Sequence, residues 1–119
     1  MTKSVNNHTA SRKKLPDIRS GLTKKCDACG FRFYITVNFY DDGKPGEVFC
    51  RIAKEGSVIS GFIEALCITI SVSMQYGVPW EVLYNKYLHQ TFEPKDDTCS
   101  SLVDAIGKEI TSVISQWSE

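Results

Sequence analysis

FRFYITVNFYDDGKPGEVFCRIA, residues 31–53, decides the fold, because its first ten residues alternate in polarity without a fault. Phe31, Phe33, Ile35, Val37 and Phe39 fall on one side of an extended chain, and Arg32, Tyr34, Thr36, Asn38 and Tyr40 on the other. A period of two describes a strand with one buried face. DDGKPG, 41–46, is turn chemistry, and residues 47–53 read as the returning strand of a hairpin, with Val48, Cys50 and Ile52 inward. Residues 24–28 are expected to add a third, shorter strand that enters the long one through Cys29 and Gly30.

Beyond the hairpin the period changes. Ser57 is the expected N-cap of a helix running to about Tyr76, with Gly77 as its left-handed stop. Val58, Phe62, Leu66, Ile70 and Met74 recur every four residues, and Ile59, Ile63, Ile68 and Val72 widen the apolar surface. This reads as the central core helix, with Ser60, Glu64, Ser71 and Gln75 as a polar line along it. Pro79 suits the first position of a second helix carrying Trp80, Leu83, Tyr84, Tyr87 and Leu88 on one stripe. TFEPKDDTC, 91–99, is loop. Ser101 and Asp104 resemble a capping box with Asp in place of Glu, and they open a last helix buried through Leu102, Val103, Ile106, Ile110, Val113, Ile114 and Trp117. Strands followed by helices predict an α+β domain: a small antiparallel sheet of about three strands with a central hairpin, then three helices packed on one face.

Charge is distributed unevenly. The first 25 residues carry seven Lys/Arg against one Asp, and residues 26–119 carry seven against thirteen Asp/Glu, which gives a formal net charge of zero. Residues 1–11 are polar without periodicity and are expected to be disordered. Residues 12–25 form a basic arm on a single domain spanning 12–119. MTKSVNNHTASRKK has no apolar core behind its charges, so no secretory signal is expected. The apolar run 58–74 contains Glu64 and several Ser/Thr, so it reads as a buried helix rather than a membrane span. A cytoplasmic protein with no membrane partner follows. Five cysteines in such a compartment predict free thiols.

Cys26 and Cys29 raise the question of zinc, a redox dithiol or a turn. Zinc needs four ligands, and neither a second CxxC nor a His pair at helical spacing is present. A redox dithiol favours a helix N-terminus, and here a strand follows. The spacing therefore predicts a structural turn, with no metal and no cofactor. Nor does the order of Ser, His, Asp and Cys suggest a triad, so no catalytic residue is assigned and the chain is not expected to be an enzyme.

The elements in order resemble a known family. Arg12 with Leu15-Pro16, then Arg19 and Thr23, FYITVNFYDDGKPGEVF, Gly56-Ser57, ISVSMQYGVPWEVL, Phe92-Glu93-Pro94 and SLVDAIGKEI are similar to the TSCPD-type domain at the C-terminus of vitamin B12-dependent ribonucleotide reductases. The similarity covers about residues 12–112. The string that names the family is replaced by Ser100-Ser101-Leu102-Val103-Asp104, which keeps only the serine and the aspartate. No part of the reductase catalytic barrel lies within these residues, so no cobalamin site or radical cysteine carries over, and Cys26 and Cys29 match no family cysteines. The resemblance implies an accessory domain.

Three functions follow as expectations. The first is a non-enzymatic nucleotide-binding or regulatory module. Its ligand contacts would come from the arm (Arg12, Lys13, Lys14, Arg19) and from the outward strand face (Arg32, Tyr34, Asn38, Tyr40, Arg51), where rings and cations suit a base and a phosphate. The second is a protein-interaction partner of a reductase subunit. The third is a virus-encoded protein that sequesters a nucleotide immune signal. A homo-oligomer is expected as well, because Tyr34, Tyr40 and Phe49 would leave the outer sheet face too apolar for a monomer.

Overall fold

The computed structural model describes residues 11–87, 90–93 and 100–118. Strands β1 (Ser20–Ala28), β2 (Phe31–Phe39) and β3 (Pro45–Ile52) form one antiparallel sheet in the order β1-β2-β3. Helices α1 (Ser57–Gln75), α2 (Trp80–Tyr87) and α3 (Leu102–Trp117) follow, which is the expected α+β arrangement. The expectation for residues 1–11 falls, apart from Ser11, outside the described residues, as do Leu88 and residues 94–99 of the expected loop.

β2 is the central strand, as its alternation demands: Phe33, Ile35, Val37 and Phe39 are buried beneath the helices. β1 is longer than expected, nine residues rather than five, and pairs along the whole of β2. The four added residues, 20–23, belong to the stretch expected as arm and are drawn into the sheet by pairing with β2. Lys24, opposite buried Ile35, donates to Glu109 Oε1 of α3 at 2.7 Å, so a charge sits where the strand pattern calls for an apolar residue.

Cys29 and Gly30 have φ of 55° and 80°, the paired left-handed conformation of a two-residue type I′ hairpin turn. CxxC therefore makes the expected turn. The expectation of free thiols holds for Cys26, Cys50 and Cys67 but is corrected at Cys29, which is disulfide-bonded. The turn fixes Cys29 at the end of the sheet. Cysteine state thus no longer argues for a reducing compartment.

α3 covers β2 and β1, α2 packs on α3, and α1 packs on β3. Phe39 stacks on Trp117 at 4.5 Å, and Trp80 Nε1 donates to Thr111 Oγ1 at 2.9 Å. The α3 cap is a displaced capping box. Ser101 Oγ accepts from Asp104 N at 3.1 Å, while the Asp104 carboxylate accepts from Ser100 N instead of from the cap residue's own amide.

α1 departs most from expectation. Its N-cap is Gly56, in extended backbone with no side-chain cap, and Ser57 is the first helical residue. Gly77 ends it at φ 102°, as expected. Its buried side runs through Ile63, Cys67, Ile70, Met74 and Gln75, whereas Val58 and Phe62 are 70% and 75% exposed and Ile68 is 57% exposed. The sheet is the reason. With α3 over β1 and β2, only β3 remains for α1. A helix apolar on every side does not announce which side will face the sheet. By length and composition α1 is long and apolar enough to cross a membrane, the only such helix among the described residues.

Candidate functional site

The site is built on the free edge of β3. In a three-stranded sheet of order β1-β2-β3 that edge would expose unpaired backbone groups. α1 closes it with side chains one turn apart. Ser71 Oγ accepts from Val48 N at 2.9 Å and donates to Val48 O at 3.3 Å, and Gln75 Nε2 donates to Gly46 O at 3.0 Å. The polar line of α1 therefore has two uses: Ser71 and Gln75 secure β3, and Ser60 and Glu64 are left to line a groove.

On the outer face of the sheet, strand register sets the side chains in cross-strand rows. Lys25, Tyr34 and Arg51 form one row, Thr23, Thr36 and Phe49 the next, and Gly21, Asn38 and Glu47 a third. Tyr34 and Phe49 remain 41% and 54% exposed. Arg51 and Lys25 make no hydrogen bond or ion pair among the described residues.

The third row is occupied internally. Glu47 is buried, and both its oxygens accept from Arg19 Nη1 at 2.7 Å while Asn38 Nδ2 donates to Oε1 at 2.8 Å. The arm is pinned at other points too. Leu15 is buried, Arg12 Nε donates to Gln75 Oε1 at 2.7 Å, Lys13 N donates to Gln75 O at 2.9 Å, and the Tyr40 hydroxyl donates to Lys13 O.

The nine expected ligand residues therefore separate. Arg12, Tyr34 and Arg51 come together in a groove of about 750 Å³ between the outer sheet face and α1, which also takes in Phe49, Ser60 and Glu64. Lys13 and Tyr40 turn away into a second hollow of about 530 Å³, beside Lys44, Tyr76 and Trp80, where the Lys13 ammonium lies 5.0 Å from the Tyr40 ring centre. Arg19 and Asn38 serve Glu47. Arg32 pairs with Asp27 at 3.2 Å near the sheet's end, and Lys14 is exposed. Beyond those nine, strand register puts Phe49 in the groove and Lys25 beside Tyr34, and the placement of α1 adds Glu64.

Two thiols lie in the groove wall. Burial pushes Cys50 up to about 12 and Cys67 up to about 11, so both are held as neutral thiols. Among the described residues no three His, Cys, Asp or Glu side chains gather as metal ligands would.

The sequence profile of the TSCPD domain matches residues 6–114. A vitamin B12-dependent ribonucleotide reductase of Rhodopirellula baltica is 42% identical over 106 residues, covering 89% of this chain and 10% of its own length. Its counterpart from Streptomyces clavuligerus is 38% identical over 106 residues, covering 83% of this chain and 11% of its own. That of Bradyrhizobium diazoefficiens is 39% identical over 83 residues, 70% of this chain and 7% of its own. The chain thus spans about a tenth of the length of the curated relatives it matches. No solved structure matches.

Proposed function

The chain belongs to the TSCPD domain family, and from that premise we propose that it is a binding module for a nucleotide or nucleotide-derived ligand, held in the groove between β3 and α1 without chemical turnover. One observation carries the reading: the row Lys25–Tyr34–Arg51 sets a ring between two cations, with Arg12 in the same groove and Phe49 in the adjoining row. Guanidinium forks suit phosphate oxygens, and an exposed ring suits a base. Glu64 and Ser60, on the opposite wall, supply acceptors for sugar hydroxyls or an exocyclic amine. The volume lies within the range of pockets that hold small ligands. Binding rather than catalysis is favoured because the thiols in the wall are protonated and Glu47 is already engaged.

The test is calorimetric titration with ATP, dATP and cyclic and ADP-ribose-type nucleotides, alongside mass spectrometry of whatever the purified protein releases on denaturation. Binding weakened at least roughly tenfold by Arg51→Ala supports the reading, since a charged hydrogen bond is worth about 1.5–3 kcal/mol. No binding by any nucleotide, with none released, overturns it. Release of an intact cyclic or ADP-ribose-derived nucleotide points to sequestration. A second reading, docking on a ribonucleotide reductase subunit, is favoured by the relatives, in which the matching stretch is a small part of a reductase. Co-purification with a reductase and no nucleotide-induced rise in melting temperature supports that reading instead.

A further inference from the structure

Along the side of α1 turned away from the sheet, Val58, Phe62, Ala65, Thr69, Val72 and Tyr76 follow one another at intervals of four, three, four, three and four residues. This is the 3.5-residue spacing of a helix-pairing seam, and it lies opposite the buried line Ile63, Cys67, Ile70 and Met74. All six are exposed except Val72, which is half-buried. Within α1 the only charged residue is Glu64, which lies outside the seam in the groove wall, while Val72 and adjoining Ile68 border both groove and seam.

We infer that this seam is covered by the same helix of a second copy, running antiparallel about a two-fold axis level with residue 67. Three observations choose a second copy over another partner. First, the seam is symmetric about that level: Val58 falls opposite the partner's Tyr76, Phe62 opposite the partner's Val72, and Ala65 opposite the partner's Thr69. Large therefore meets small away from the axis, and two small residues at the axis let the helices approach closely. Second, Thr69 Oγ1 donates to Ala65 O at 3.0 Å, so its hydroxyl is satisfied within the helix and its methyl group can be buried without cost. Third, an uncharged face offers nothing to an acidic or basic partner but suits its own image.

The area agrees. The seam and adjoining Ile68 leave on the order of 500 Å² of apolar surface per chain, as large as the patches that mark interaction sites, and two copies would bury roughly twice that, near the lower limit for a stable interface. The outer sheet face, expected from sequence to be the oligomer contact, carries the Lys25–Tyr34–Arg51 row and is left to the ligand. The pairing does not require a nucleotide, and it meets the groove only along its Ile68 and Val72 border.

The experiment is light scattering after size exclusion on the full chain at ~10–100 µM, concentrations at which a micromolar dimer is populated. The mass expected is twice 13.4 kDa. Phe62→Glu places a charge in the seam and should raise the dissociation constant at least roughly a hundredfold. Its melting curve shows whether the chain still folds, and Val58→Lys provides a second disruption should Phe62→Glu misfold. A mixture of Val58→Cys and Tyr76→Cys chains should cross-link to each other in preference to themselves. A chain mass of 13.4 kDa throughout, a dimer indifferent to both charged variants, or self-linking of Val58→Cys each overturns the inference. So does a monomer that binds neutral phosphatidylcholine vesicles and loses that binding on Phe62→Glu, which would make the seam a membrane contact.

Discussion

Glu47 shows at the scale of one residue what the sequence withheld. Arg19 and Asn38 are polar and on or near the strand face, so both read as ligand contacts until register places them in one cluster with Glu47. The ion pair joins residues 28 apart, and no local pattern encodes it. Replacing Glu47 with Ala should cost about 1–3 kcal/mol, discounted for the partly exposed Arg19, with the denaturant midpoint as the measure. An unchanged midpoint would show the cluster to be ornamental to stability. The thiols give a pH-dependent counterpart. Cys50 and Cys67 have folded pKa values raised by burial to about 12 and about 11 from an ordinary value of 9.0. A raised pKa means that the folded state holds the proton more tightly. The stability it contributes is present below pH 9.0 and is lost as pH rises towards 11 and 12. Denaturation at stepped alkaline pH should show that decline, shallower in Cys50→Ser. At pH 8 a thiol reagent should leave both residues largely unmodified until the protein unfolds.

Whole elements were more legible than single contacts. β2 and the hairpin follow from strict alternation, α3 from its apolar face, and the β1–β2 turn from Cys29-Gly30. β1 was less legible: residues 20–23 belong by charge to the arm and extend the strand only through pairing with β2, and the inward Lys24 is matched by Glu109 of α3. For α1 the helix was legible and its facing was not, because apolar residues surround it and only the polar line breaks the symmetry. That line decides the docking: Ser71 and Gln75 substitute for a fourth strand at the β3 edge. Ser71→Ala removes only the hydroxyl and with it both hydrogen bonds to Val48. A loss of about 1–2 kcal/mol is expected, with faster hydrogen exchange at the Val48 amide. Exchange as slow as in the parent protein would mean that the helix shields this edge without bonding to it.

For the molecule as a whole, the basic N-terminal arm determines how stability and binding are divided. Charge alone suggests a tether that attracts phosphates. The contacts instead make residues 12–19 a strap: Leu15 is buried, Arg12 and the Lys13 backbone hold the C-terminal turn of α1, Lys13 O accepts from Tyr40 at the end of the hairpin, and Arg19 secures Glu47 of β3. Removing the arm should therefore unfold before it unbinds. Burial of one leucine and several hydrogen bonds, some charged, add to about 3–5 kcal/mol, a large share of the roughly 5–15 kcal/mol typical of a domain. Deleting residues 1–19 should lower the melting temperature by more than about 10 °C. Lys14 and Lys25 are exposed and their side chains make no hydrogen bond or ion pair among the described residues, so replacing both with Ala should leave the melting temperature unchanged. Because Lys25 lies beside Tyr34 on the outer sheet face and Lys14 adds to the charge of the arm, the same double variant should lower nucleotide affinity and flatten its dependence on salt. Thermal melts and titrations at two ionic strengths separate these effects. A truncated protein as stable as the parent would return the arm to the role of a charged tail, whereas a double variant with unaltered salt dependence would confine phosphate binding to Arg12 and Arg51.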